Sequence, residues 1–146
     1  MSFAVDANLL LYASDLSSPR QPKAYEQLHR LARGPEIVYL FWPVLMEYLR
    51  ISTHSSIFSA PLSAEEAMDN VRALVALPHV RCPGENSGFW KGYEQIGAGH
   101  NVRGNLVPDA HLVALMRQHG VTVIWTDDRD FRHFEGITVR LLDDLA

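Results

Sequence analysis

The sequence predicts an α/β protein, a three-layer α/β/α sandwich around a central, mainly parallel sheet. Short apolar or β-branched runs alternate with helical stretches of about ten or more residues, which implies βαβ crossovers and a sheet covered on both faces. The 146 residues fit one compact domain, residues 1–146. A composition of 47% hydrophobic, 21% charged and 10% aromatic residues supplies an ordinary globular core. A domain of this size buries roughly two-thirds of the surface its unfolded chain exposes, so it needs no disulfide.

The elements follow in order. Phe3–Asp6 reads as a short apolar strand, and Asn8–Ala13 begins a helix. Ser17-Ser-Pro-Arg-Gln-Pro22 breaks the chain; Lys23–Arg33 resumes a helix, with Leu28, Leu31 and Ala32 on one side, and Gly34-Pro35 stops it. Ile37–Phe41 is β-branched and aromatic, hence a buried strand. Pro43 then opens a helix through Ser52, as proline does at a first helical position. Ser63-Ala-Glu-Glu66 has the form of a capping box, starting a helix to about Leu77 with Ala67, Val71, Leu74 and Val75 on one face. His79–Cys82 is a short strand and Ser87–Ile96 a helix. Gly97 to Gly104 is a flexible loop, and Pro108–His119 a helix ended by Gly120. Val121–Thr126 and Thr138–Leu142 are the last strands.

Several functions are excluded or disfavoured at once. Cys82 is the single cysteine, so an intrachain disulfide or a multi-cysteine zinc site is impossible, and a reducing cytoplasm suits the chain. The start, Met1-Ser-Phe-Ala-Val-Asp6, lacks the basic region of a signal peptide. The apolar run Ile37 to Met46 is too short for a bilayer and contains Pro43, so no membrane role is expected. A formal charge of −4 argues against gripping nucleic acid by charge alone, though not against an enzyme whose acids are neutralised by cations.

The acids carry the chemistry. Asp6 ends the first strand; Asp127, Asp128 and Asp130 follow the strand that ends at Thr126; Asp109 lies in the first turn of a helix; and Glu47 lies on the helix after the second strand. Ligand sites in open α/β sheets form beyond the carboxyl ends of the strands, so four segments can aim a carboxylate at one rim. Each acid also has a plain structural reading. Asp after a strand or in a first helical turn caps free N–H groups. Glu47 could pair with Arg50 on an exposed face, yet it borders the apolar arc of Val44, Leu45, Tyr48, Leu49 and Ile51. Asp15, Asp143 and Asp144 read as solvated. Like charges ~4 Å apart repel by about 4 kcal/mol at an effective dielectric near 20, so a carboxylate cluster must bind protons or a cation. Oxygen donors with no cysteine and no paired-histidine spacing favour Mg²⁺ or Mn²⁺ over zinc.

Four motifs stand in order along the chain: Val5-Asp-Ala-Asn-Leu-Leu-Leu-Tyr12, Pro43-Val-Leu-Met-Glu-Tyr-Leu-Arg50, Val107-Pro-Asp-Ala-His-Leu-Val-Ala-Leu115 and Thr126-Asp-Asp-Arg-Asp-Phe131. With them the sequence resembles the PIN-domain ribonucleases, and most closely the VapC-type toxins of bacterial toxin–antitoxin pairs. The resemblance implies that Asp6, Glu47, Asp109 and Asp128 are the catalytic and metal-binding acids, with Asp6 and Asp109 the principal ligands. It selects Asp128 over Asp127, leaves Asp130 to support the site, and gives Asn8 and Thr126 the task of holding it. A plain reading stays open for the last two, since Asn8 can cap a short helix and Thr126 can simply end a strand. The implied reaction is hydrolysis of an RNA phosphodiester by metal-activated water, with tRNA as a family-level candidate substrate. Arg20, Lys23, His100, Arg103 and Arg129, with Arg132 and His133 nearby, are the available RNA donors. A homodimer and a cognate antitoxin that occludes the acidic site are also implied. The competing readings are a metal-dependent DNA nuclease or phosphatase, a non-catalytic PIN-like RNA- or protein-binding module, and a phosphoacceptor receiver domain, although no lysine follows Lys91 as the last would require.

Overall fold

The structure is a computed structural model and describes residues 1–144; the last two positions of the expected 1–146 domain lie outside the described residues. Strand β1 (Ser2–Val5) leads into helices α1 (Ala7–Ser14) and α2 (Gln21–Ala32), then β2 (Ile37–Tyr39). Helices α3 (Trp42–Ser52) and α4 (Ala64–Val75) precede β3 (Val80–Arg81), and α5 (Phe89–Gly97) and α6 (Leu106–Gln118) precede β4 (Val123–Trp125). A 3₁₀ turn, Arg129–His133, connects to β5 (Thr138–Arg140).

The five strands pair in the order β3-β2-β1-β4-β5, every pair parallel. Parallel strands need crossovers, and right-handed crossovers from β1 through β2 to β3 place α1–α4 on one face. The return from β3 to β4 places α5 and α6 on the other. Packing agrees: α1 contacts α2 and α3, α3 contacts α4, and α5 contacts α6. Strand order reverses between β1 and β4, so the crevice beyond their carboxyl ends is the place the topology prepares for chemistry.

Local sequence explains the boundaries. The Ser63–Glu66 capping box forms in both directions, Ser63 Oγ accepting from the Glu66 amide and Glu66 accepting from the Ser63 amide, each at 3.1 Å. Gly120 follows α6 at φ +68°, a left-handed conformation that favours glycine. Expected boundaries move by at most two residues. Helix α2 begins at Gln21 with Pro22 in its first turn, and α6 begins at Leu106, so Pro108 lies inside a first turn rather than opening it. Strand β4 is shorter than the apolar run: at its start the Val121 amide donates to the Met116 carbonyl at the end of α6, and beyond Trp125 only the Thr126 amide still reaches β5, donating to the Arg140 carbonyl. The core is continuous across both layers, with Val5, Leu9, Phe41, Leu45, Leu115 and Ile124 fully buried. No helix among the described residues is long and apolar enough to cross a membrane.

Candidate metal centre

Asp6 leaves β1 and caps α1. Its Oδ1 accepts the Ala7 amide at 2.8 Å, and its own amide donates to the Trp125 carbonyl at 3.0 Å, locking the ends of β1 and β4 together. Oδ2 accepts the Thr126 hydroxyl at 2.8 Å and lies 3.5 Å from the Asn8 amide nitrogen. Thr126 is fully buried, and its hydroxyl is saturated: besides donating to Asp6, it accepts from Asn8 Nδ2 at 3.1 Å and from the Asp128 amide at 2.9 Å. Asn8 Oδ1 accepts the Asp127 amide at 3.3 Å. These two neutral side chains therefore set both the Asp6 carboxylate and the start of the acidic loop.

That loop turns by capping itself. Asp128 Oδ1 accepts the Asp130 amide at 2.9 Å, and the 3₁₀ turn it opens sinks Phe131 completely into the core. The turn brings Asp128 and Asp130 to the start of α6, where Asp109 stands. Asp109, Asp128 and Asp130 each offer an oxygen within 4.8 Å of the other two. Asp6, Glu47 and Asp109 line one cleft of about 300 Å³, with Pro43, Arg50 and Leu112 among its other walls.

The five acids feel one another. Burial, opposed by the Thr126 and Ala7 hydrogen bonds and reinforced by the charges of Glu47 and Asp128, raises Asp6 to about 6. Burial first, then the charges of Asp128, Asp6, Asp130 and Glu47, raises Asp109 to about 7. At 4.8 Å two carboxylates repel by about 3–4 kcal/mol at an effective dielectric near 20. A divalent cation relieves every one of these repulsions. The donor set is all oxygen, which fits a hard cation.

The expected residues sort unevenly. Asp6, Glu47, Asp109 and Asp128 reach one rim, and Asp130, expected only to support them, joins the compact group. Asp127 turns away: its Oδ2 lies 2.6 Å from Arg20 Nε, and its Oδ1 accepts the Leu142 amide at 3.3 Å. Arg20, expected as an RNA donor, is thereby engaged inside the protein. So is His100, whose ring nitrogens lie 3.2 and 3.1 Å from the carbonyls of Ile96 and His133 while the ring stacks on Phe134. Lys23 is exposed but sits 3.7 Å from Asp143; Arg103 and Arg129 are exposed. The acids expected as solvated also do local work, and Asp143 and Asp144 are exposed as expected. Asp15 accepts from Ser17 and Ser59, Asp143 pairs with Arg20 and Lys23, and Asp144 accepts the Leu141 amide. The ion pairs among the described residues do not join Glu47 to Arg50. Arg50 lines the cleft instead, a placement its i+3 spacing from Glu47 on α3 could have suggested.

Residues 3–137 match the family model described as PIN domain. The chain is 49% identical over 140 residues to Ribonuclease VapC48 of Mycobacterium tuberculosis, covering 96% of this chain and 97% of that protein. It is 31% identical over 138 residues to VapC ribonuclease Mb2897 of Mycobacterium bovis, covering 93% and 92%. Among solved structures, VapBC2 from Rickettsia felis bound to a promoter DNA fragment aligns with a TM-score of 0.70 at 13% identity, over 97% of this chain and 98% of that one. VapC20 of Mycobacterium tuberculosis, described as a Sarcin-Ricin loop cleaving toxin, aligns with a TM-score of 0.67 at 18% identity, over 92% and 98%.

Proposed function

The chain belongs to the PIN-domain family, and on that premise we propose that it is a divalent-metal-dependent endoribonuclease, the toxin of a toxin–antitoxin pair, acting as one domain. The observation that carries this reading is the convergence of Asp6, Glu47, Asp109, Asp128 and Asp130 beyond the carboxyl ends of β1 and β4.

Asp6, Asp109 and Asp128 would hold Mg²⁺ or Mn²⁺, with Asp130 beside them. Such an ion, when bound, supplies positive charge to a phosphodiester and its leaving oxygen and acidity to an attacking water. Thr126 and Asn8 keep one Asp6 oxygen in a fixed direction. Asp128 is fixed by its cap to Asp130. Glu47, across the cleft on α3, orients the attacking water and receives its proton. Arg50, in the same wall, meets the phosphate that follows the acids into the cleft. Lys23, Arg103 and Arg129 are left as outer RNA contacts, too few for unselective capture by a chain of charge −4. Structured RNA such as tRNA fits that requirement better than random coil, and the cytoplasm is where a toxin of this kind would meet it.

Two partners complete the proposal. A cognate antitoxin would lay an apolar segment into the groove of about 530 Å³ walled by Leu10, Leu28, Ala32, Leu74 and Leu77, and reach the acidic cleft with a basic side chain. A second copy would cover Trp42 and Met46 on α3, which stand 43% and 50% exposed near the cleft. The deciding experiment incubates the protein and its Asp109→Asn variant with a panel of structured RNAs, single-stranded RNA and duplex DNA in Mn²⁺, Mg²⁺ or EDTA. Metal-dependent RNA cleavage confined to the parent supports the reading. Cleavage that persists in Asp109→Asn or in EDTA, or DNA cut while RNA is spared, overturns it.

A further inference from the structure

Asp128 and Asp130 reach the centre on a loop, so something must hold that loop against the mutual repulsion of its acids. Thr126 and Asn8 grip its first residue from inside. Asp127 faces the opposite way, into a cluster drawn from four segments. Its Oδ2 lies 2.6 Å from Arg20 Nε at the start of α2, and its Oδ1 accepts the amide of Leu142 at the end of the described chain. The other end of the Arg20 guanidinium reaches Asp143 Oδ1 at 3.4 Å, and its face lies 5.6 Å from the ring centroid of Tyr12 on α1, the helix that Asp6 caps. Asp127 is only 14% exposed, so this pair is partly shielded from water and salt. Nε–H of Arg20 does not point along a hydrogen bond to Oδ2; the contact is one of charge at short range.

We propose that Arg20 and Asp127 are positioning residues for the metal centre: they pull the 126–130 loop outward at Asp127, which turns Asp128 and Asp130 toward Asp109. The inference rests on the metal-centre reading above. Neither residue touches metal or substrate; each acts through the backbone on either side of Asp127. The pair also explains why an aspartate at 127 can adjoin three acids without adding its charge to theirs.

Charge and position make opposite predictions for Arg20, which makes it the decisive residue. Removing a cation from beside a cation site strengthens metal binding if only charge matters. Removing a support that orients the ligands weakens it, typically by tenfold or more. The test measures Mn²⁺ binding to the folded protein by titration calorimetry and electron paramagnetic resonance, with thermal melts as the check on folding. The expected result is about tenfold weaker Mn²⁺ binding in Arg20→Ala, most of the loss recovered in Arg20→Lys, and near-parental kcat once Mn²⁺ is saturating. Binding as tight as the parent's, or tighter, in Arg20→Ala overturns the inference. Where Arg20→Ala does not fold, Arg20→Gln removes the charge, keeps most of the stem over Tyr12 and carries the same two outcomes. Asp109→Asn separates the levels. Loss of Mn²⁺ in Asp109→Asn but not in Arg20→Ala defeats the inference alone, whereas parental binding in both defeats the metal-centre reading and the inference with it.

Discussion

The Thr126 hydroxyl donates to Oδ2 of Asp6 at 2.8 Å although the two residues stand 120 positions apart in the chain. One hydroxyl thus couples the carboxyl ends of the two central strands. It also serves Asn8 and the Asp128 amide, so its loss leaves three polar groups short of a partner.

Thr126→Val keeps the shape of the side chain and removes only that hydroxyl. In a fully buried position this should cost about 1–3 kcal/mol of unfolding free energy and weaken Mn²⁺ binding, whereas Thr126→Ser should keep most of both. Denaturant unfolding of the two variants side by side measures it. Equal stabilities would mean that the hydroxyl is not holding the site together.

Raised carboxyl pKa values give stability a definite slope with pH. Asp6 at about 6 and Asp109 at about 7 keep their protons in the folded protein, where the unfolded chain, with aspartates near 3.9, has released them. Between roughly pH 4 and pH 7 the folded state therefore binds more protons, and stability falls as pH rises. In EDTA the melting temperature should drop by several degrees from about pH 5 to about pH 7.5, and Mn²⁺ at the higher pH should reverse the drop while releasing protons. A melting temperature that is flat or rising across that interval contradicts the direction of both shifts.

Asp109→Asn removes one charge from the cluster. Without metal at neutral pH it should melt above the parent, since the repulsion from Asp128, Asp6, Asp130 and Glu47 goes with it. The same variant should lose the melting shift produced by Mn²⁺ and about a hundredfold or more of cleavage rate. Calorimetry with and without metal reads both signs on one sample. A variant less stable than the parent in EDTA would show that Asp109 serves the fold rather than the site.

Arg50 shares the cleft with Asp6, Glu47 and Asp109 but is in none of the ion pairs among the described residues. Arg50→Ala should raise KM for RNA several-fold with a smaller effect on kcat, and Arg50→Lys should lie between. Unchanged KM in initial-rate kinetics would remove it from substrate binding.

Ser63→Ala is the contrasting case. It breaks a capping box whose residues do not line the acidic cleft, at a cost of about 1 kcal/mol, and should leave Mn²⁺ affinity as it was. If affinity fell in step with stability, the metal-site variants above would have to be read as general loosening.

What the sequence disclosed is what depends on neighbours along the chain. Strand and helix periods, the Ser63 cap and the Gly120 stop are local, and the structure keeps them. Asp6 and Asp109 were legible because a strand end and a first helical turn fix where such residues stand. The choice of Asp128 over Asp127 came only from the resemblance, because local pattern does not show backbone direction over three residues. Asp128 bends the chain onto Asp130, and Asp127 is turned outward by Arg20, over a hundred positions away in sequence and invisible to any local pattern. The same blindness made Arg20 and His100 look free for RNA and Asp143 look merely solvated. Strand order, too, rests on which distant segments pair.

The central pairing of β1 with β4 has a consequence for synthesis. Asp6 emerges from the ribosome more than a hundred residues before Asp128, and the Asp6 amide waits for the carbonyl of Trp125 before its strand gains that neighbour. A nascent or prematurely stopped chain lacking β4 carries most of the acids and nowhere to gather them. The acids can gather only after β4 has been made.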